Sequence, residues 1–228
     1  MKIGMIGSGN MGRALGVRFA EAGHDVFFGA RRLEQAFAAA GLAGHAAKAG
    51  SNDEAAAFGT VLIWNMREPV PAQVLADLSL LAGKIVVDLN NRDYAAEART
   101  GAWFGEAIAE QLQRNAPDAH VVKAFNLIAM ETFDVSVEAV QSSGGQVFLA
   151  GADGIAKKVV SGLAEELGYG SIDVGVWPAA LSAVEALGDV IRLIMIDGGY
   201  GGRAHLQLTV LPSPVTRRVG EREASIYG

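Results

Sequence analysis

No cysteine occurs among the 228 residues, which excludes disulfides, thiolate metal sites and a cysteine nucleophile and fits a cytoplasmic protein. Half the residues are hydrophobic, yet no run approaches the roughly 18 apolar residues of a membrane span, so no membrane partner is expected. Basic charge is scarce as well. The 19 Lys and Arg are outnumbered by 25 Asp and Glu, for a net charge of −6, and no basic block is present to track a phosphate backbone. Nucleic acid is therefore not an expected partner. The first apolar run begins at Lys2, leaving no room ahead of it for a leader peptide. His24, His45, His120 and His205 are scattered without metal-ligand spacing, so no metal site is expected. No repeat or low-complexity segment interrupts what has the length of one α/β domain with an elaboration.

What is present is concentrated in the first 32 residues. An apolar strand, Lys2-Ile3-Gly4-Met5-Ile6, runs straight into Gly7-Ser8-Gly9-Asn10-Met11-Gly12, a GxGxxG turn. Such a turn lets a backbone approach a pyrophosphate at a helix N-terminus. By itself GxGxxG is a weak signal. Here an amphipathic run (Met11, Leu15, Phe19, Ala22) follows, and His24-Asp25-Val26-Phe27-Phe28 begins a second strand at βαβ spacing. About 20 residues on, where an acidic residue would take the ribose hydroxyls of NAD, the chain reads Gly29-Ala30-Arg31-Arg32. Asp25 falls too early and Glu34 a turn too late. Two guanidiniums beside small Ala30 suit a 2′-phosphate, which points to NADP(H). The alternative is that they merely begin a solvated helix, but cations there oppose the helix dipole unless an anion lies between them.

The rest alternates in the rhythm of a doubly wound, mostly parallel sheet. A short helix is expected over 33–40, and Ser51 with Glu54 forms a capping box at another helix start. Strands are expected over 60–64, 84–89, 120–126, 146–150 and 171–176. Helices are expected over 69–81, 103–114 and 154–167, the first opened by Pro69 and Pro71. In such a sheet ligands bind beyond the carboxyl ends of the strands. The candidate site is therefore Gly7, Ser8, Gly9, Asn10, Met11 and Gly12, with Ala30, Arg31 and Arg32, then Asn65, Met66, Asn90, Asn91, Ala124, Phe125 and Asn126. Asparagines at strand exits are also ordinary turn residues. Four of them exceed what turns require.

Four segments together, Gly7 through Leu15, Gly29-Ala30-Arg31-Arg32, Val122-Lys123-Ala124-Phe125-Asn126 and Phe148-Leu149-Ala150-Gly151-Ala152-Asp153, resemble the family of NADPH:F420 oxidoreductases. The cytoplasmic NADPH-binding domains of STEAP ferric reductases belong to the same family. The likeness spans residues 1–197. It implies a Rossmann fold in which Gly7, Ser8, Gly9, Asn10, Met11 and Gly12 hold the pyrophosphate, Arg31 and Arg32 the 2′-phosphate, and Ala124, Phe125 and Asn126 lie near the nicotinamide. Two departures fall on the second-substrate side. Asn90-Asn91-Arg92 stands where relatives often read threonine-asparagine-proline, and Met66-Arg67 replaces a common proline-tryptophan.

The chemistry so implied is hydride transfer between NADP(H) and a deazaflavin (F420) or flavin ring, a small-molecule redox acceptor. Two rings stacked about 3 to 3.5 Å apart suffice, and no catalytic side chain is assigned. Lys123 is the candidate for a rival mechanism, polarisation of a carbonyl. Strand alternation sets it on the side of Val121 and Phe125, opposite Asn126. Leu181, Val184, Leu187, Ile191 and Ile194 mark a helix over 179–197. A Gly-rich hinge at 198–202 and a strand over 205–211 follow, read as a flap with Tyr200 as a stacking partner. Pyrroline-5-carboxylate reductases and β-hydroxyacid dehydrogenases share the turn but append a helical substrate domain, for which this stretch is too short. The expected organisation is a dinucleotide-binding domain at 1–176, a C-terminal helix-plus-strand element at 177–211 and a tail at 212–228, in a cytoplasmic homodimer. A different acceptor (flavin passing electrons to ferric iron, or a carbonyl or imine) and a non-catalytic NADPH sensor are the alternatives.

Overall fold

A computed structural model describes residues 1–91, 106–176 and 179–211. The expected start of a helix at Trp103, the residue Arg92 and the tail from Pro212 lie outside them. Strands β1 (Lys2–Ile6), β2 (Asp25–Gly29), β3 (Lys48–Gly50), β4 (Val61–Trp64), β5 (Ile85–Asp88), β6 (His120–Lys123), β7 (Gln146–Ala150) and β8 (Gly170–Gly175) form one sheet. Their order is β3-β2-β1-β4-β5-β6-β7-β8. All neighbours are parallel except β7, which runs antiparallel to β6. The doubly wound α/β expectation therefore holds. The connection reverses direction between β1 and β4, so the crevice opens beyond Ile6 and Trp64.

Helices cover both faces because successive side chains of the central strands are apolar on both sides. On one face lie α1 (Asn10–Glu21), α2 (Leu33–Ala43) and α6 (Gly154–Glu166), packed on Ile3, Met5, Ile63, Val87 and Val122. On the other lie α3 (Asn52–Phe58) and α4 (Ile108–Asn115), packed on Ile6, Leu62, Trp64, Val86 and Val121. There too, α7 (Ala180–Arg192) covers Ala150 with Ala180 and Val184. A further short helix, α5 (Val137–Ser143), precedes β7.

Three expectations differ from the structure. The helix over 69–81 is replaced by two 3-10 turns, Pro71–Gln73 and Leu78–Leu81. Local bonds compete with the helical ladder there: the Asp53 carboxylate accepts from the amides of Ala76 (2.7 Å) and Asp77 (3.1 Å), and Asp77 caps Ser79. The sixth strand stops at Lys123, because Phe125 takes a left-handed conformation (φ 58°) and turns the chain out of the sheet. No strand forms over 205–211. The chain is held there instead by the Leu208 amide donating to Gln146 Oε1 (2.6 Å) and Gln146 Nε2 donating to Leu208 O (3.3 Å). The helix expected over 179–197 is present as α7 and a π-turn, Leu193–Asp197.

Beneath the carboxyl ends of β5 and β6 is a buried charge cluster. Asp88 and Lys123 are cross-strand partners on the α7 side of the sheet. Lys123 Nζ donates to Asp88 Oδ2 (2.7 Å), to Glu185 Oε2 on α7 (2.8 Å) and to the Asn90 carbonyl, and all three ionic side chains are fully buried. Glu185 also accepts from the Ile108 amide at the start of α4 (3.2 Å). Removing one member of such a cluster leaves uncompensated buried charge, which costs about 3 to 5 kcal/mol. Lys123→Met is expected to lose stability on that scale in urea unfolding. An unfolding midpoint equal to that of the parent would mean that the cluster does not join these elements.

Candidate functional site

The turn after β1 is built by two acceptors. The Gly7 amide donates to Gly29 O (3.1 Å) and to Asn52 Oδ1 (3.2 Å), drawing it against β2 and the first turn of α3. Gly7 has φ 93°, and a Cβ there would meet the Met66 sulfur at 2.6 Å, so only glycine fits. A Cβ at Gly12 would collide with Gly7 O and with Asn65 Nδ2, which itself donates to Gly7 O (3.1 Å). At Gly9 the same Cβ has only Asn65 Nδ2 at 3.4 Å, an ordinary contact. The glycine is not needed there for packing.

Helix α1 begins at this turn with no side-chain cap and no acidic residue in its first turn. By contrast α3, α5 and α6 are capped by Ser51, Ser136 and Asp153. In the α3 box, the Ser51 amide and then its hydroxyl hold the exposed Glu54 carboxyl below its ordinary pKa. Uncapped amides at α1 leave a partial positive charge suited to an anion.

A cavity of about 420 Å³ adjoins that helix end, lined by Gly7, Ser8, Gly9, Ala30, Arg31, Arg32, Gln35, Asn65 and Met66. Arg31 and Arg32 are exposed, and neither has an ion-pair partner among the described residues. A second cavity of about 320 Å³ lies beyond the ends of β4, β5 and β6. It is walled by Met11, Asn65, Arg67, Leu89, Asn90, Asn91, Asn126 and residues 127–129, and closed by Ile191, Arg192 and Met195 from the C-terminal helix. Asn65 lines both cavities.

The sequence-derived residues divide accordingly. Gly7, Ser8, Gly9, Ala30, Arg31, Arg32 and Met66 line the first cavity, and Met11, Asn90, Asn91 and Asn126 the second. Ser8 reaches the cavity without its hydroxyl, which donates to Gly29 O (2.8 Å). The Asn90 amide group is spent on Trp64 O (2.8 Å), Met66 O (3.1 Å) and Asp88 Oδ1 (2.6 Å), tying the exits of β4 and β5 together. Asn91 and Asn126 form a reciprocal pair: Asn91 Nδ2 donates to Asn126 O (2.7 Å), and Asn126 Nδ2 to Asn91 Oδ1 (2.9 Å) and Val184 O (3.0 Å). Asn126 Oδ1 is buried without a hydrogen-bond partner.

Other assignments are corrected. Asn10 lines neither of these cavities but a groove shared with Met130 and Phe133, because the first turn of α1 points it outward. Gly12 serves packing. Ala124 and Phe125 are core residues at 0% and 1% exposure, Phe125 edge-on to Phe19, because the left-handed turn swings the ring under the sheet. The same turn ends strand alternation, so Lys123 and Asn126 both approach α7 instead of pointing oppositely. With its three protons donated within the buried cluster, Lys123 does not polarise a substrate carbonyl. Tyr200 is 75% exposed and lines neither cavity, since the chain leaves the crevice after Asp197.

Sequence reasoning missed Asn52, Gln35 and Met195, and it met Arg67 only as a departure on the second-substrate side and Ile191 only as part of an apolar helix face. Gln35 follows Arg31 and Arg32 at one helical turn, a spacing that could have found it. Asn52 gave no such signal, being hidden inside a capping box.

The chain is similar to known proteins in sequence and in fold. Residues 2–92 match the family described as NADP oxidoreductase, coenzyme F420-dependent. The metalloreductase STEAP3 of Rattus norvegicus is 28% identical over 174 residues, 76% of this chain and 34% of that protein. The chain thus spans about a third of that relative's length. A crystal structure of a proposed F420-dependent NADP-reductase from Arthrobacter sp. FB24 superposes with a TM-score of 0.75 at 25% identity, covering 92% of this chain and 100% of that one. The reductive aminase of Aspergillus terreus, in complex with NADPH and ethyl levulinate, shares the fold at a TM-score of 0.60 and 19% identity, over 87% and 61% of the two chains.

Fold and comparisons define the class of architecture as the Rossmann dinucleotide-binding fold. Residues 2–92, which carry the glycine turn and the two arginines, are the part of the chain that is similar to the F420-dependent NADP oxidoreductase family.

The turn geometry yields one test. Gly9→Val has room in the protein, so the fold should survive while the side chain blocks the backbone face that the helix end presents. Unfolding is expected to stay near that of the parent, with NADPH binding by calorimetry abolished. Affinity within a few-fold of the parent would sink the phosphate-cradle assignment.

Proposed function

We propose that this chain transfers hydride between NADP(H) and a deazaflavin or flavin-type ring. The observation that carries the reading is the pair of cavities sharing Asn65, one beside two guanidiniums without an ion-pair partner among the described residues, the other walled by amides, apolar side chains, Arg67 and Arg192, with no carboxylate or histidine among the described residues that line it. A dinucleotide laid across them would set its 2′-phosphate between Arg31 and Arg32 and its pyrophosphate at the uncapped start of α1. Its nicotinamide would then lie in the second cavity, where Asn126 Oδ1 can accept from the carboxamide.

The bound cofactor would supply the hydride. The protein's own contribution is alignment and exclusion of water: Leu89, Ile128, Ile191 and Met195 form a dry wall against which two rings can stack. Nothing in that wall offers a strong acid or base, which suits ring-to-ring transfer better than carbonyl or imine reduction. The F420-dependent family match and the Arthrobacter structure support the deazaflavin form of the reading.

Replacing Arg31 and Arg32 together by Ala is expected to weaken NADPH binding by about 2 to 4 kcal/mol, from roughly 1.5 to 3 per charge-assisted bond with overlap. NADH affinity should barely change. Equal loss of both cofactors would mean that the arginines are structural. NADPH oxidation is then assayed with F420, FMN, FAD and ferric chelates. Turnover with the ring acceptors is the expected result, and binding of NADPH without oxidation by any of them would make the chain an NADPH sensor instead.

A further inference from the structure

Among the described residues, the lining of the second cavity includes the guanidinium of Arg67 and no carboxylate, in a chain of net charge −6. The groove along the outer face of α1 shows the opposite arrangement, with Arg13 and Arg18 facing Glu21, Glu131 and Asp134. Arg67 stands at the exit of β4, exposed, with no hydrogen bond or ion pair to any described residue. The carboxylate next to it in sequence is turned elsewhere: Glu68 Oε1 accepts from the Val70 amide at 2.9 Å. A guanidinium on a cavity that has apolar walls, with no counter-charge among the described residues of its lining, keeps its attraction for an anion, since part of the surrounding solvent is displaced.

We propose that Arg67 selects the second substrate by receiving an anionic group, a phosphate, sulfonate or carboxylate, attached to the acceptor ring. The inference rests on the hydride-transfer reading above and adds the residue that sets acceptor preference. The charges of NADP(H) are accounted for on the other side of Asn65, by Arg31, Arg32 and the amides of α1, which leaves Arg67 to the acceptor. Its planar fork matches the paired oxygens of such a group, and the aliphatic wall of Leu89, Ile128, Ile191 and Met195 takes the ring body. A neutral ring would still enter, but without the bidentate contact that holds one end.

The test uses ring pairs that differ in the charged group: FMN against riboflavin, and a naphthoquinone sulfonate against the parent naphthoquinone. For each pair, kcat/KM of NADPH oxidation is measured with the full chain and with Arg67→Ala, so that intrinsic ring reactivity cancels between the two proteins. NADPH affinity is titrated in parallel by fluorescence, which also reports folding. The expected result is a loss of about tenfold or more with FMN and the sulfonate, on the scale of one charge-assisted contact, and a change within about twofold for the neutral partners. NADPH affinity should be unchanged and Arg67→Lys intermediate. Equal losses for charged and neutral acceptors, or a loss appearing in NADPH affinity, would overturn the inference and leave hydride transfer standing. NADPH binding without oxidation by any of the four acceptors or by F420 would overturn both.

Discussion

The carboxyl end of this sheet depends on one buried cation. Lys123 is fully enclosed, and an ammonium in such surroundings is tolerated only where opposite charge and acceptors meet it on every side. Its partners come from β5 (Asp88), from the loop after β5 (Asn90 O) and from α7 (Glu185). The lysine therefore dictates that the C-terminal helix lie over the ends of β5 and β6. That placement creates the second cavity, because the same helix supplies Ile191, Arg192 and Met195 to its wall. It also sets Val184 O where Asn126 can donate to it, and Gly188 where Asn91 packs so closely that a Cβ would collide.

The cofactor side rests on a different economy, polar groups withheld from internal use. The first turn of α1 has no cap, and Arg31 and Arg32 have no carboxylate partners among the described residues. Ser51, Ser136 and Asp153 cap three other helices, while α2, α4 and α7 also start without a side-chain cap, so what sets the start of α1 apart is that its open amides and the two arginines line one cavity. Asn65 joins the two halves. It fastens the glycine turn through Gly7 O and lines both cavities, so the regions proposed for cofactor and acceptor share one wall.

These two arrangements explain why some strand-exit residues serve ligands and others the frame. The residues of β1 and β2 exits face a crevice that none of the described helices covers, and they line the first cavity. Those of β5 and β6 lie under α7 and are drawn into its packing. Asn90 gives its amide to the frame, Phe125 gives its ring to the core, and Asn126 keeps a single oxygen unsatisfied at the cavity edge.

What the sequence by itself determined is everything governed by short-range pattern. The GxGxxG turn, the doubled arginine in place of an acid and the alternation of apolar strands with helices follow from spacing a few residues long, and so does the capping box at Ser51. Doubly wound topology follows from them because parallel strands need helical crossovers. What only the tertiary structure decided is which polar groups are consumed. Lys123 and Glu185 are 62 positions apart, and Asn91 and Asn126 are 35 apart. No local period links them. Strand alternation also failed at Phe125, where one left-handed residue rotated everything after it. The apolar face of the C-terminal helix was legible, but the two carboxylates on its buried side, Glu185 and Asp189, were not. Burial of a charge is decided by the partners that three-dimensional packing brings to it, and a linear pattern does not carry that information.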